Sequence, residues 1–463
     1  MMNRERYYLG IDLGTSSVKG ILRSLSGHSI KGKQTYSGAE PQAWFDAVKA
    51  LIGDLTERLD GEIAGISISS QVGTYVIDGK EVISWRSSVG KEELDEVKSK
   101  LSEDTFLREI GMVHPDLVSY PLPRYLYIQK YYGDRVEVLM PKELLLRALT
   151  GNTVTDVFSM RGIANNVTGT YSQELLQTLG ITLKLPQLKY PTDLAGTVTN
   201  QAAEEFGLAA GIPVYLGCND FFAGLLGMGI YRPGDFFDLS GTSEHIGYLS
   251  EKVNRKGFVS GGYFSGNCTY GGTKASGAAC DLAIHCFGID GLDLGRLLAK
   301  KPPIFLPYLS GERAPIFDEK ARGVYFGLDE KTDKEALAYA TLEGVVFSLY
   351  HIATSMDAPK PQKLICGGGS ARDPFMNLLR ATLFDCEVVS VCENDTSALG
   401  ACMIAMVGNG AVPNLSAAIS ACVAESQGTF PVTGQRDLLR RRFEIYRSLY
   451  GDLRSAFDKF HQI

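Results

Sequence analysis

Two short stretches about half a chain apart constrain the fold of these 463 residues more than any other feature: GIDLGTSS at 10–17 and FDLSGTSE at 237–244. In each, an apolar strand runs through Asp-Leu into a glycine turn with Thr and Ser beside it, then resumes as a second strand. The two copies match with one inserted residue. An ordinary hairpin turn needs only a glycine and one or two polar residues. The first turn instead crowds Asp12, Gly14, Thr15, Ser16, Ser17 and Lys19 into the eight residues 12–19. Two such turns imply a duplicated architecture, and the chain is longer than one hydrophobic core usually supports.

Around each copy the pattern is strand, glycine turn, strand, followed by helices and further strands, which predicts two α/β halves. In the first half IAGISISSQVGTYVID reads as a buried strand, a turn at Gly73 and a second strand; in the second, GFVSGGYFSGNCTYGGTK reads as a meander broken by glycines. Helical spacing appears in AWFDAVKALIGDLTERL, KEALAYATLEGVVFSLYHIATSM, FMNLLRATLF and SALGACMIAMVG. The closing RDLLRRRFEIYRSLYGDLRSAFDKF predicts an amphipathic helix docked on the second domain; its apolar positions keep no heptad. With a turn at Pro233 and Gly234 as the joint, the expected domains are 1–236 and 237–463, hinged over a central cleft where a ligand would bind.

Composition excludes several classes. The net charge of −7 comes from 46 basic and 53 acidic residues without long runs, so the field that nucleic-acid binding requires is missing. No window approaches the roughly 18 apolar residues of a membrane span, and the start MMNRERYYLG reads as no signal peptide. The nine cysteines, several within apolar runs such as IHCFG and KLICGGG and none in a C-x-x-C pair, read as buried reduced thiols of a cytoplasmic protein. The six histidines have no ligand-like spacing to them.

Four stretches could carry chemistry. Each Gly-Thr-Ser turn can offer backbone amides and hydroxyls to a phosphate. Asp12, beside the first, would repel phosphates unless a divalent cation lies between, which makes it a magnesium candidate; the simpler alternative is a carboxylate accepting turn amides. Asp220, where the strand of IPVYLGCNDFFAGLLGMG meets a helix, is either a helix N-cap or a general base able to take a proton from an attacking hydroxyl. Gly367, Gly368, Gly369 and Ser370 stand between a strand and a helix and let backbone close on a flat or phosphorylated ligand. Neither G-x-G-x-x-G nor the Walker pattern is present.

With FLPYLSGERAPIFDEKARGVYFGL at 305–328, these motifs resemble, in order and spacing, the FGGY carbohydrate kinases of the hexokinase, actin and heat-shock ATPase superfamily. The resemblance runs from Tyr8 to about Gly410. It implies two ribonuclease-H-like, actin-like ATPase domains, 1–236 sugar-binding and catalytic and 237–463 nucleotide-binding, and magnesium-dependent transfer of the ATP γ-phosphate to a sugar hydroxyl. It places Gly14, Thr15 and Ser16 with Gly241, Thr242 and Ser243 on the ATP phosphates, Asp12 on the metal and Asp220 as catalytic base. Gly367, Gly368, Gly369, Ser370 and Asn377 fall on the adenosine, and Leu399-Gly400-Ala401 on the helix closing that motif. Gln71, Trp85, Asn219 and Asp220 are the sugar-binding candidates, and a homodimer is common among resembling enzymes.

The departures concern the acceptor. Gln71-Val72-Gly73 lacks the Met-His-Gly of xylulose kinases, and SWRSSVG keeps Trp85 but has Ser87 where the family has aspartate. Glu143 replaces another aspartate, and TDVFSMRG loses the small residues that usually follow Asp156. Loss of a group that hydrogen-bonds a sugar hydroxyl alters selectivity strongly. The expected acceptor is a ketopentose such as xylulose, with gluconate, another ketose or a polyol as alternatives. A non-catalytic nucleotide-dependent regulator is the reading from outside the class, and Asp220 counts against it.

Overall fold

A computed structural model describes residues 4–114, 116–241, 244–289 and 291–462. The chain forms two compact units. One holds residues up to 231 with 261–264 and 395–423; the other holds 232–260, 265–394 and 424 onward.

The first unit is built on a six-stranded sheet. In chain order its strands are β1 (Arg6–Leu13), β2 (Ser17–Ser24), β3 (Ser29–Thr35), β4 (Glu62–Ser70), β5 (Leu194–Thr197) and β6 (Pro213–Tyr215), arranged β5-β6-β4-β1-β2-β3. β1, β2 and β3 form an antiparallel meander, while β4 runs parallel to β1 and β6 parallel to β4. The connection from β3 to β4 passes through the helix Pro41–Glu57. Proline at its first turn suits the helix start, and Trp44, Val48, Leu51, Ile52 and Leu55, three or four apart, bury one face against the sheet. On the opposite face lies the helix Thr396–Gly408. It approaches β1 so closely that a Cβ on Gly10 would come within 2.0 Å of the Ala398 carbonyl oxygen, so only glycine fits there. A separate core spans residues between Tyr75 and Leu183 in the same unit.

The second unit repeats the scheme with β7 (Phe236–Ser240), β8 (Glu244–Ser250), β9 (Val259–Gly262, whose last two residues are counted with the first unit), β10 (Asn267–Thr273), β11 (Lys363–Gly368) and β12 (Glu387–Ser390). The order is β9-β10-β8-β7-β11-β12. Here too the first two strands form the glycine-turn hairpin, and later strands, β11 and then β12, add in parallel beside the first. The order β3-β2-β1-β4-β6 therefore corresponds to β10-β8-β7-β11-β12. This is the duplication that the two turns implied.

The predicted helices are all present, and the terminal helix Arg436–Phe460 buries Leu439, Phe443, Tyr446 and Leu449 in the second unit's core. Two readings need correction. The helix Lys334–Ser355 is long and apolar enough to cross a membrane, with a window of mean hydropathy 1.3, contrary to the expectation that no such window exists; 83% of that window is buried inside the protein. It is apolar all round because it runs through the unit's core. The cysteines are all free, but Cys286 and Cys392 are exposed rather than buried, Cys286 because it falls on a surface π-turn, Ala283–Phe287.

Candidate active site

The first unit gathers its chemistry at the carboxyl ends of three neighbouring strands, where ligands bind in open α/β sheets. β1 and β2 stay paired through Asp12 with Lys19 and Leu13 with Val18. The turn closes as the Gly14 amide donates to the Ser17 carbonyl at 3.0 Å, and the Tyr36 hydroxyl donates to the Gly14 carbonyl. Thr15 is half-buried and Ser16 exposed. Parallel pairing puts Ser69 of β4 beside Asp12, and its hydroxyl donates to Asp12 Oδ1 at 2.9 Å. Lys19 is instead paired with Asp395 at 2.8 Å. Burial pushes the Asp12 carboxyl up to about 6, against the Ser69 hydrogen bond and the Lys19 charge. The Asp12 side chain thus accepts from a serine on the next strand and not from the turn amides.

Asp220 arrives at the same end of the sheet through a constrained turn. Gly217, at φ +70°, passes the β4 backbone so tightly that a Cβ would lie 1.8 Å from the Ile68 carbonyl oxygen. That approach brings Asn219 into a bridge with Ser70. The N-cap of the helix Asp220–Gly227 is Asn219, whose side-chain oxygen accepts from the Phe222 amide at 2.8 Å, so the N-cap reading of Asp220 is corrected. Asp220 is the first helical residue. Its Oδ1 accepts from the Phe221 amide at 2.8 Å, and its carboxylate also receives the Val72 amide. Those donors lower its pKa, but burial and then the neighbouring Asp12 charge outweigh them and push it up to about 7. A carboxyl poised near neutrality suits a general base.

The remaining acceptor candidates make hydrogen bonds within the protein. Gln71 is buried with its side-chain oxygen accepting from Thr74 at 3.3 Å. Asn219 also donates to the Phe158 carbonyl at 3.2 Å, and the Trp85 indole N–H donates to Thr15 Oγ1 at 3.2 Å. Beneath them lies a cluster around Glu143 and Asp156, which stand in the motifs where the sequence departs from the family. Buried Lys142 pairs with Glu143 at 2.8 Å and Asp156 at 3.1 Å, and Asp156 accepts from the Phe158 and Ser159 amides. Asp156 thereby shapes the turn whose Phe158 carbonyl holds Asn219.

In the second unit, β7 and β8 flank the second glycine turn. Gly241 is exposed; Thr242 and Ser243 lie outside the described residues. The loop after β11 is tied to this hairpin. Ser240 Oγ donates to the Gly367 carbonyl at 2.9 Å and accepts from the Ser370 amide at 3.0 Å. Gly368, at φ +87°, lies so near Ser240 that a Cβ would meet its carbonyl oxygen at 1.9 Å, whereas Gly369 faces open space. Asn377 points into the protein: it donates to the Ala371 carbonyl and Ser390 Oγ and accepts from Arg380. Arg380, fully buried, reaches Asp238 at 2.6 Å, Glu244 at 2.8 Å and Ser370 Oγ at 2.5 Å. Sequence reading missed this support because one arginine in an apolar helix and two acids about 140 residues away show no pattern. The Gly311-Glu312-Arg313 signature is likewise internal: buried Glu312 accepts from Thr273 Oγ1 and from the Lys274 and Arg313 amides.

Among the described residues no group of three or more His, Cys, Asp or Glu could hold a metal ion on its own. Asp12 and Asp220 nevertheless fit magnesium, which keeps several waters and takes only one or two carboxylates beside substrate phosphates. Burial raises both pKa values, and the Asp12 charge raises that of Asp220 further.

Family models for the FGGY carbohydrate kinases match residues 7–227 with the N-terminal domain and 241–408 with the C-terminal domain. The chain belongs to the FGGY family of carbohydrate kinases. This kinase is therefore a phosphotransferase with a sugar alcohol group as acceptor and ATP as the family's phosphate donor. It is 29% identical over 489 residues to a xylulose kinase of Lactococcus lactis, covering 96% of each chain. To a gluconokinase of Bacillus subtilis it is 25% identical over 496 residues, covering 96% of this chain and 95% of that one. Among solved structures it is similar to gluconate kinase from Lactobacillus acidophilus, with TM-score 0.86, and to ligand-bound xylulose kinase from the same organism, with TM-score 0.84. Both are 26% identical and cover 98% of this chain and 100% of theirs.

Proposed function

We propose that this kinase phosphorylates a ketopentose such as xylulose, using magnesium-ATP, with Asp220 as the general base. The observation that carries the base assignment is a half-buried carboxyl, raised to about 7, at the strand end beside Asp12. The acceptor hydroxyl gives its proton to Asp220 as its oxygen forms a bond to the γ-phosphorus; the bond from that phosphorus to the β–γ bridging oxygen breaks, and ADP leaves. Gly14, Thr15 and Ser16 with the Gly241 turn donate to the phosphates, and the Gly367–Ser370 loop carries the adenosine. Magnesium, which Asp12 would hold, would neutralise charge on the phosphates. On this reading the first unit supplies the base and acceptor contacts and the second the adenosine loop. The likeness to xylulose kinases favours the ketopentose, and the gluconate kinase likeness supports the aldonate as the second acceptor to try. Relatives of this kind support a cytoplasmic enzyme. The test is sugar-dependent ADP release across ketopentoses, aldonates and polyols: a ketopentose preferred at least about tenfold in kcat/KM supports the assignment, and an aldonate preferred by that margin replaces it.

A further inference from the structure

Trp85 entered as a sugar-binding candidate, yet its polar atoms are spent on another task. Its indole N–H donates to Thr15 Oγ1 at 3.2 Å, and its backbone N–H donates to Thr74 Oγ1 at 3.2 Å. Thr74 in turn donates to Gln71 Oε1 at 3.3 Å, and the Gln71 amide donates to the Leu13 carbonyl at 3.0 Å. These contacts close a ring from Leu13 through Gln71, Thr74 and Trp85 back to Thr15, so the 71–85 segment is bolted to the first glycine turn at both ends. The ring is held from behind by buried Arg124, which donates to the carbonyls of Ser84 at 3.3 Å and Ser87 at 2.7 Å.

A hydroxyl has one hydrogen and two acceptor lone pairs. With the indole N–H on one lone pair, the Thr15 hydrogen is directed elsewhere, and the donated bond polarises it. We propose that Trp85 is a positioning residue that presets Thr15 as a donor to nucleotide phosphate and couples acceptor occupancy of the 71–85 segment to nucleotide affinity. This rests on the reading of Gly14–Ser16 as a phosphate turn and of the 71–85 segment as a wall of the acceptor site. Coupling of this kind is reciprocal: nucleotide tightens acceptor binding by the same factor.

The chain has two tryptophans, and Trp44 is only 2% exposed in the first unit's core, so ligand-dependent emission isolates Trp85. The experiment titrates native protein and Trp85→Phe by calorimetry with a magnesium-bound non-hydrolysable ATP analogue, with and without the sugar that gives turnover, and follows Trp85 emission in the native protein. In the native protein the emission changes with analogue, and sugar lowers the analogue Kd by about fivefold or more. In Trp85→Phe the analogue still binds, its Kd no longer depends on sugar, and KM for ATP rises more than kcat falls. Thr15→Ser keeps the coupling and Thr15→Val loses it, which tests the same bond with Trp85 left in place. Undiminished coupling in Trp85→Phe and Thr15→Val, or analogue binding that leaves Trp85 emission unchanged, overturns the proposal while sparing the kinase assignment. Failure of the native protein to bind the analogue removes the phosphate-turn reading and the proposal together.

Discussion

Replacing Asp220 by asparagine should stabilise the metal-free protein while abolishing phosphoryl transfer. The carboxyl is raised from 3.8 to about 7, so the folded chain holds this proton more tightly than the unfolded chain. Its contribution to stability is full below about pH 4, is lost as pH rises towards 7, and is absent above that. At about 1.4 kcal/mol per unit the deficit at pH 8 is about 4 kcal/mol, and water reaching the half-buried group reduces it to about 2 kcal/mol. Asparagine keeps an oxygen to accept from the Phe221 amide and never ionises. Its gain should therefore be about 2 kcal/mol at pH 8, or about 4–8 °C in the first unit's melting temperature, and less than half of that at pH 5. Thermal melts of native protein and Asp220→Asn in EDTA at the two pH values measure it. A variant less stable than native at pH 8, or one with the same gain at both pH values, would refute the placement of an uncompensated carboxyl at this site.

Other expected outcomes concern the second unit. Arg380→Met leaves Asp238 and Glu244 buried without their cation and should cost about 3–5 kcal/mol, read as a lowered urea midpoint. Gly368→Ala forces a Cβ against the Ser240 carbonyl at a left-handed backbone angle and should raise KM for ATP or prevent folding of the loop, whereas Gly369→Ala, facing open space, should leave the melting temperature within about 1 °C. Because Asn377 is committed to Ala371 and Ser390, Asn377→Ala should lower stability yet leave the ratio of kcat/KM for ATP over GTP within about twofold.

Much of the frame was legible because it is local. A glycine turn with flanking apolar strands declares a hairpin at 6–24 and again at 236–250, and 3.6-residue spacing declares the helices. The parallel additions of β4, β6, β11 and β12 were not legible, since nothing in a strand names its distant partner. Asp220 was readable as a residue where strand meets helix, but its freedom from capping depends on Asn219 taking that role, a choice set by backbone geometry at Gly217. Trp85, Gln71 and Asn219 look like polar donors for a sugar in one dimension; in three, their hydrogen bonds are turned towards Thr15, Thr74, Phe158 and Phe222. The helix Lys334–Ser355 shows the same limit, because composition cannot tell a core helix from one facing lipid.

The central claim is that Asp220 activates a sugar hydroxyl towards the ATP γ-phosphate. The most direct measurement is ADP release from magnesium-ATP across ketopentoses, aldonates, hexuloses and polyols, with Asp220→Ala beside the native protein and analogue binding confirmed in both. The account predicts turnover with one acceptor class that falls by at least about a hundredfold in the variant while nucleotide still binds. Equal turnover in Asp220→Ala would contradict it.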